Sequence, residues 1–221
     1  MSEAARTAPT LDDFERALTT VHRVTQRTPF ESSRYLAEVL DVPAVYLKCE
    51  NLQRTGAYKL RGAYHRRSAL SPEERERGVG AASAGNHAQG VAYAARQLGI
   101  RATIFMPLGV ALPKLQATRN YGADVQLEGA TIDETNRAAQ QFVEESGAIF
   151  VPPFDHPAVI EGQGTVALEM LQLQPEIETL IVPSGGGGLI SGVAAAAKQW
   201  AAREGRQMRV VGVQSENAAP Y

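Results

Sequence analysis

Short apolar runs alternate with longer stretches whose apolar residues recur at helical spacing, and this rhythm holds over almost the whole chain. Near the start, Thr10 with Asp13 three residues on resembles a capping box, opening a helix to about Val21. Ser32 or Ser33 can cap a second helix, which ends before the Asp41-Val42-Pro43 break. A strand-like run, Val45–Cys49, a polar loop, Glu50–Thr55, and a helix from about Lys59 to Ala69 come next. The rhythm then becomes regular. Val79–Ala82, Arg101–Met106, Asp124–Leu127 and Ala148–Val151 read as strands. Between them lie helices near His87–Leu98, Pro113–Tyr121 and Ile132–Ser146, with Gly99, Gly122 and Gly147 as stop signals. A helix over Pro157–Leu173, a strand over Thr179–Val182, an alanine-rich helix through Lys198 and a strand over Arg209–Val213 complete the pattern. Such alternation predicts an α/β fold with parallel sheets and helices on both faces. Three complete units would form a small lobe, residues 56–150, leaving residues 1–55 and 151–221 as a second, discontinuous lobe.

At 221 residues the chain is long enough for a substantial core. Its apolar fraction of 44% is ordinary, and a net charge of −2 gives no reason to expect nucleic acid or an acidic membrane. Arginines cluster at Arg61, Arg66 and Arg67 and again at Arg75 and Arg77. They alternate with glutamates or fall on helical faces, which reads as a solvated surface. No stretch approaches a membrane-spanning length, and Met1–Thr10 lacks the apolar centre of a secretion signal. A single cysteine, Cys49, rules out an internal disulfide framework and reads as a small half-buried apolar residue. The expectation is a cytoplasmic protein. His22, His65, His87 and His156 are scattered without ligand spacing, so no metal site is expected.

Two helix-opening loops carry the candidate chemistry. Pro183-Ser184-Gly185-Gly186-Gly187-Gly188-Leu189 follows an apolar strand and feeds a helix. Its glycines remove the side chains that would hold a ligand off the backbone, and a helix N-terminus presents free N–H groups to an anion. It lacks the Lys-Ser/Thr ending of a Walker loop and suits a lone phosphate better than a dinucleotide. A flexible turn is the bland alternative, disfavoured because each glycine adds to the entropy lost on folding. The second loop, Ser83-Ala84-Gly85-Asn86-His87-Ala88-Gln89-Gly90, offers a hydroxyl, a carboxamide and an imidazole in one turn, suiting a carboxylate or a ring hydroxyl. Taken singly, Ser83 or Asn86 reads as a helix cap and His87 as a structural residue. Neither loop contains an acid. Lys59, at a helix start, reads by itself as an ordinary solvated lysine; the position is poor for a cation, and partial burial there would lower its pKa and sharpen its amine.

The run Glu50-Asn51-Leu52-Gln53-Arg54-Thr55-Gly56-Ala57-Tyr58-Lys59-Leu60-Arg61-Gly62-Ala63 closely resembles the cofactor-lysine motif of the threonine dehydratase family. That family is the serine/threonine ammonia-lyase branch of the fold-type II pyridoxal-phosphate enzymes, related to serine racemase. Ala82–Gly90, Gly162-Gln163-Gly164-Thr165 and Pro183–Leu189 resemble three more of its motifs, in the family's order. The resemblance implies a two-lobed, tryptophan synthase β-like architecture in which residues 1–55 and 151–221 belong to the large cofactor-binding lobe. It implies pyridoxal 5'-phosphate held by Lys59 as a Schiff base. Asn86 would bond the ring hydroxyl, and Gly185, Gly186, Gly187, Gly188 and Leu189 would bind the phosphate through backbone amides. Ser83, Gly85, Asn86 and His87 would surround the substrate carboxylate. The implied reaction is deamination of a small hydroxy amino acid, L-threonine or L-serine, to a 2-oxo acid and ammonia, with Lys59 removing the Cα proton. A homo-oligomer, dimer or tetramer, is also implied.

The departures from the family pattern are specific. Ala57-Tyr58 stands where relatives usually carry Ser-Phe, deleting a hydroxyl that could serve the phosphate. Ala84 stands where racemases of the family carry an acid/base serine, which favours elimination. Lys59-Leu60-Arg61 differs from the Lys-Asp-Arg of cysteine-synthase and threonine-synthase relatives. Gln214, Glu216 and Asn217 lie where some relatives place acidic cation ligands, and Gln214 weakens such a site. Catalytic domains of the family continue past the position of Tyr221, so the large lobe is expected to be incomplete and to lack a partner for the pyridine nitrogen. A non-catalytic protein using the same fold for binding or assembly is the alternative that this leaves open.

Overall fold

Helices in this chain start where side chains can satisfy their free N–H groups. In the computed structural model, which describes residues 8–218, Thr10 and Asp13 form the reciprocal capping box at the head of α1 (Leu11–Val21). Residues 1–7 of the Met1–Thr10 stretch lie outside the described residues. Ser33 caps α2 (Arg34–Leu40) through Leu36 N–H. This helix follows a strand that the sequence pattern did not announce, β1 (Phe30–Ser32). It pairs antiparallel with β2 (Tyr46–Lys48), so the expectation of parallel sheets alone is corrected at this end. Three residues without alternation carry no strand signal of their own; β1 exists because β2 pairs with it.

The chain then builds α3 (Lys59–Ser68), α4 (Pro72–Arg77), β3 (Val79–Ala82), α5 (Asn86–Leu98), β4 (Ala102–Met106), α6 (Leu112–Asn120), β5 (Asp124–Leu127), α7 (Ile132–Ser146) and β6 (Ile149–Phe150). The unexpected α4 buries none of its residues, so apolar periodicity could not reveal it. The four strands form a parallel sheet in the order β5-β4-β3-β6. Alternate residues face opposite sides. Val79, Ala81, Ile104 and Met106 join α5 in one core, and Ala82 and Phe105 pack with Ala139 of α7 in another.

The remaining elements are α8 (Pro157–Leu173), β7 (Thr179–Pro183), α9 (Gly188–Arg203) and β8 (Arg209–Val213), with β7 and β8 parallel. Helix α8 is buried along most of its length and meets α1, α3 and α9. The helices approach closely because glycines face each other. A Cβ on Gly162 would stand 2.6 Å from Gly62 Cα in α3, and one on Gly192 would stand 2.7 Å from Gly164 N. The Gly162–Thr165 motif is therefore a helix-crossing motif, and it ties α3 to α9.

The arginines required a larger correction. Arg61 and Arg67 are fully buried, contrary to a solvated face. Arg61 meets Glu50 Oε2 at 2.8 Å and Glu169 Oε1 at 2.7 Å, and Glu169 also receives Lys48 Nζ at 2.8 Å. His22 Nε2 lies 3.0 Å from the same carboxylate. Burial pushes the Glu169 pKa up, but bonds and charge from Arg61 and Lys48 prevail and hold it at about 2.

Candidate functional site

The strand order of the four-stranded sheet reverses between β3 and β6: β4 and β5 add on one side of β3, and β6 on the other. Ligands of open α/β sheets bind at the carboxyl ends of strands at such a switch point. The residues that follow β3 and β6 are Ser83–Gly85 and Val151–Pro153. The second of these segments reaches Lys59 through Pro153.

Lys59 is the first residue of α3, and its Nζ donates to Pro153 O at 2.7 Å. Burial lowers its pKa to about 8. The ammonium also stands 5.3 Å from the centroid of the Tyr58 ring. Beside it is a pocket of about 250 Å³ lined by Tyr58, Lys59, Phe154 and the run Pro183–Ile190. Pocket and lysine thus bring together Lys59 with Gly185, Gly186, Gly187, Gly188 and Leu189. A larger depression of about 540 Å³, lined by Glu178, Arg206 and Arg209 among others, lies at the opposite, amino ends of β7 and β8. It holds no nucleophile, and ligands of parallel sheets do not bind at that end.

The four glycines are not equivalent. A Cβ on Gly185 would meet nothing within 4 Å, so its absence leaves backbone facing open space. Gly187 takes φ +84°, the left-handed conformation that lets the chain turn into α9 without a capping side chain. At Gly186 and Gly188 the reason lies in the protein: a Cβ would come within 2.3 Å of the Phe154 ring and 2.9 Å of its backbone. Sequence reasoning assigned all four to ligand approach and missed Phe154, whose place in the pocket no local signal marks.

The Ser83–Gly90 loop does not line that pocket but abuts its lysine. Gly90, one turn into α5, faces α3 so closely that a Cβ would lie 3.1 Å from Lys59 C and Leu60 N. Neither Ser83 nor Asn86 caps the helix; the cap position is Gly85 and has no side-chain bond. Ser83 Oγ instead accepts from Gly85 N–H at 3.1 Å. Asn86 is exposed at the first helical position. His87 is buried, with Nε2 2.9 Å from Val151 O. Since a carbonyl only accepts, Nε2 carries the proton there. Burial lowers the ring's pKa to about 3, so it is neutral at ordinary pH. The imidazole is a structural tie to the β6 end, and what His87 offers the loop is its backbone N–H. Ser184 Oγ lies 3.4 Å from Gln214 Nε2, and among the described residues no group of three His, Cys, Asp or Glu could hold a metal ion.

A cradle of open glycine backbone at a helix start fits a phosphate, and a half-buried amine of lowered pKa beside it fits an aldehyde. These are the two functions that pyridoxal phosphate presents, so the residues present fit the group.

The sequence matches the family described as pyridoxal-phosphate dependent enzyme over residues 21–221. It is similar to an L-threonine ammonia-lyase of Thermotoga maritima, 51% identical over 208 residues, covering 94% of this chain and 51% of that protein. The chain spans about half the length of the curated relatives it matches. Among solved structures, a serine racemase from Dictyostelium discoideum superposes with a TM-score of 0.87 at 32% identity, over 94% of this chain and 66% of that one. Threonine deaminase isoform 2 from Solanum lycopersicum gives a TM-score of 0.84 at 41% identity, over 94% and 57%.

Proposed function

The chain belongs to the family of pyridoxal-phosphate dependent enzymes, and from that premise we propose that it deaminates L-threonine, and L-serine as a second substrate, to a 2-oxo acid and ammonia. The observation that carries this reading is the pairing of a half-buried Lys59, at a pKa of about 8, with the glycine cradle of Gly185–Leu189 in one pocket. Relatives with 44–51% identity named L-threonine ammonia-lyase or L-threonine dehydratase support the choice of substrate.

Lys59 would hold the cofactor covalently, and the amides of Gly185, Gly186, Gly187, Gly188 and Leu189 would hold its phosphate. When bound, the cofactor supplies an electron sink for charge developing at the substrate Cα. Lys59 Nζ takes the Cα proton; its lowered pKa leaves a useful fraction of free amine near neutrality. Asn86, at the exposed start of α5, would bond the ring hydroxyl. Ser83, Gly85, Asn86 and His87 would receive the substrate carboxylate, His87 through its backbone N–H. Ala84 brings no hydroxyl to Cα, which favours elimination over racemisation. We further propose the division into a small lobe, residues 56–150, and a discontinuous large lobe, residues 1–55 and 151–221; separate core clusters at the four-stranded sheet and at the β7–β8 pair support it. A homo-oligomer in the cytoplasm completes the reading, the latter on the ground that Cys49 is unpaired.

The test is an absorbance spectrum with pyridoxal phosphate, of the parent and of Lys59→Ala, before and after L-threonine. A visible band that needs Lys59, forms faster as pH rises through about 8, and changes as 2-oxobutyrate accumulates is the expected result. A band without turnover would reduce the protein to a cofactor binder. No Lys59-dependent band in a folded sample would sink the assignment.

A further inference from the structure

Among the described residues Lys114 has no partner in the fold. It sits in the first turn of α6, where the helix dipole disfavours a cation. That turn contains no acid, and the cap position, Ala111, offers no side chain. Among the described residues the Lys114 ammonium makes neither a hydrogen bond nor an ion pair. Its exposed side chain runs along the neighbouring loop. It lies along Gly85, with Cδ and Nζ each 3.5 Å, and Cε 3.7 Å, from the point a Cβ on that glycine would occupy. An exposed ammonium without a partner, lying beside a loop that contains no acid, is free to meet an anion that the loop receives.

The loop it covers is the one that, on the reading above, receives the substrate carboxylate. We propose that Lys114 is a further substrate-binding residue, closing the carboxylate site from the side opposite the first turn of α5. The inference rests on that reading of Ser83–His87 and extends it to a third element, α6. Its ligand class is an α-carboxylate on a small amino acid. The cofactor phosphate is served in the other pocket, where Lys114 is not among the lining residues. Because Lys114 acts by charge on a part of the substrate away from the reacting bonds, it sets affinity and leaves the proton transfer at Lys59 alone.

The experiment uses cofactor-loaded protein, as parent, Lys114→Ala and Lys114→Arg. Two probes are titrated by the change in the visible band: 2-aminobutyrate, which lacks a β leaving group, and propylamine, the same molecule without its carboxylate. Lys114→Ala should weaken 2-aminobutyrate about fivefold to tenfold, the range of one charge-assisted contact at a partly exposed site. Propylamine binding should be unchanged. KM for L-threonine should rise by the same factor with kcat held, and Lys114→Arg should recover most of the loss. Equal weakening of both probes would show a structural role and overturn the proposal, as would no change in either. A parent chain that takes up no cofactor through Lys59 overturns the underlying reading and this proposal with it; the spectrum before any probe is added tells that outcome from the others.

Discussion

Arg67 shows how much a single side chain can cost. It is fully buried on α3, and its Nη1 donates to Val91 O, but Nε and Nη2 have no partner among the described residues. Burial, and then the charge of Arg66, lower its pKa to about 9. Contrast Arg61, six positions earlier on the same helix, whose guanidinium is bonded by two carboxylates and a threonine hydroxyl. An unpaired buried charge with orphaned donors is among the least favourable groups a core can hold. Arg67→Met should therefore stabilise the protein by about 1–3 kcal/mol in urea unfolding, the usual cost of a buried unsatisfied polar group. A variant less stable than the parent would mean that ordered water serves this guanidinium in solution.

At the scale of elements, the site depends on how α3, α8 and α9 are stacked. Lys59 opens α3, the glycine loop opens α9, and α8 lies between them. Gly192 touches α8 backbone: a Cβ there would stand 2.3 Å from Ile160 O. Backbone cannot yield as a side-chain tip can, so Gly192→Ala must push α9 away from α8. Its expected cost is about 1–3 kcal/mol of stability, together with weaker cofactor binding as the loop shifts from Lys59. Gly185→Ala is the matched comparison, since a Cβ there meets open space. It should leave the unfolding midpoint unchanged and weaken the cofactor alone. Urea titration and cofactor titration of the two variants separate the cases; equal cofactor affinity in Gly185→Ala and the parent would remove Gly185 from the phosphate cradle.

Across the whole molecule, the Glu169 cluster joins parts far apart in the chain. Glu169 on α8 collects Arg61 of α3, Lys48 of β2 and His22 just after α1. Its folded pKa, about 2, lies below the ordinary 4.5. The sign follows from linkage: the charged carboxylate stabilises the fold above pH 4.5, and that stability is lost as pH falls toward 2. Glu169→Gln should cost roughly 3 kcal/mol at neutral pH, the lower end for a broken buried pair because Arg61 keeps Glu50. The gap to the parent should close on acidification as Glu169 takes up a proton. Unfolding curves of both proteins between pH 7 and the acid limit check this, and a gap that does not change with pH would mean the charge is not its source.

What this sequence determined by itself was the set of locally signalled elements. Helices α7 and α8 and strands β3, β5 and β8 fall on the residues their periodicity and caps predict. The signals for a helix cap, a stop glycine or an apolar alternation lie within one or two turns of the element they mark, so a single chain displays them. Even α4, hidden by its polar surface, had such a mark in the Ser71–Glu74 capping box with Pro72 at its start. Lys59 and the two loops were legible for the same reason, as local runs. Tertiary structure alone decided the burial of Arg61, whose partner Glu169 is 108 residues away. It alone divided the four glycines between Phe154 and open space, gave Gly162–Thr165 to helix crossing, and laid Lys114 across Gly85. Burial and contact between distant segments depend on which surfaces the finished fold presses together, and no stretch of sequence carries that information on its own.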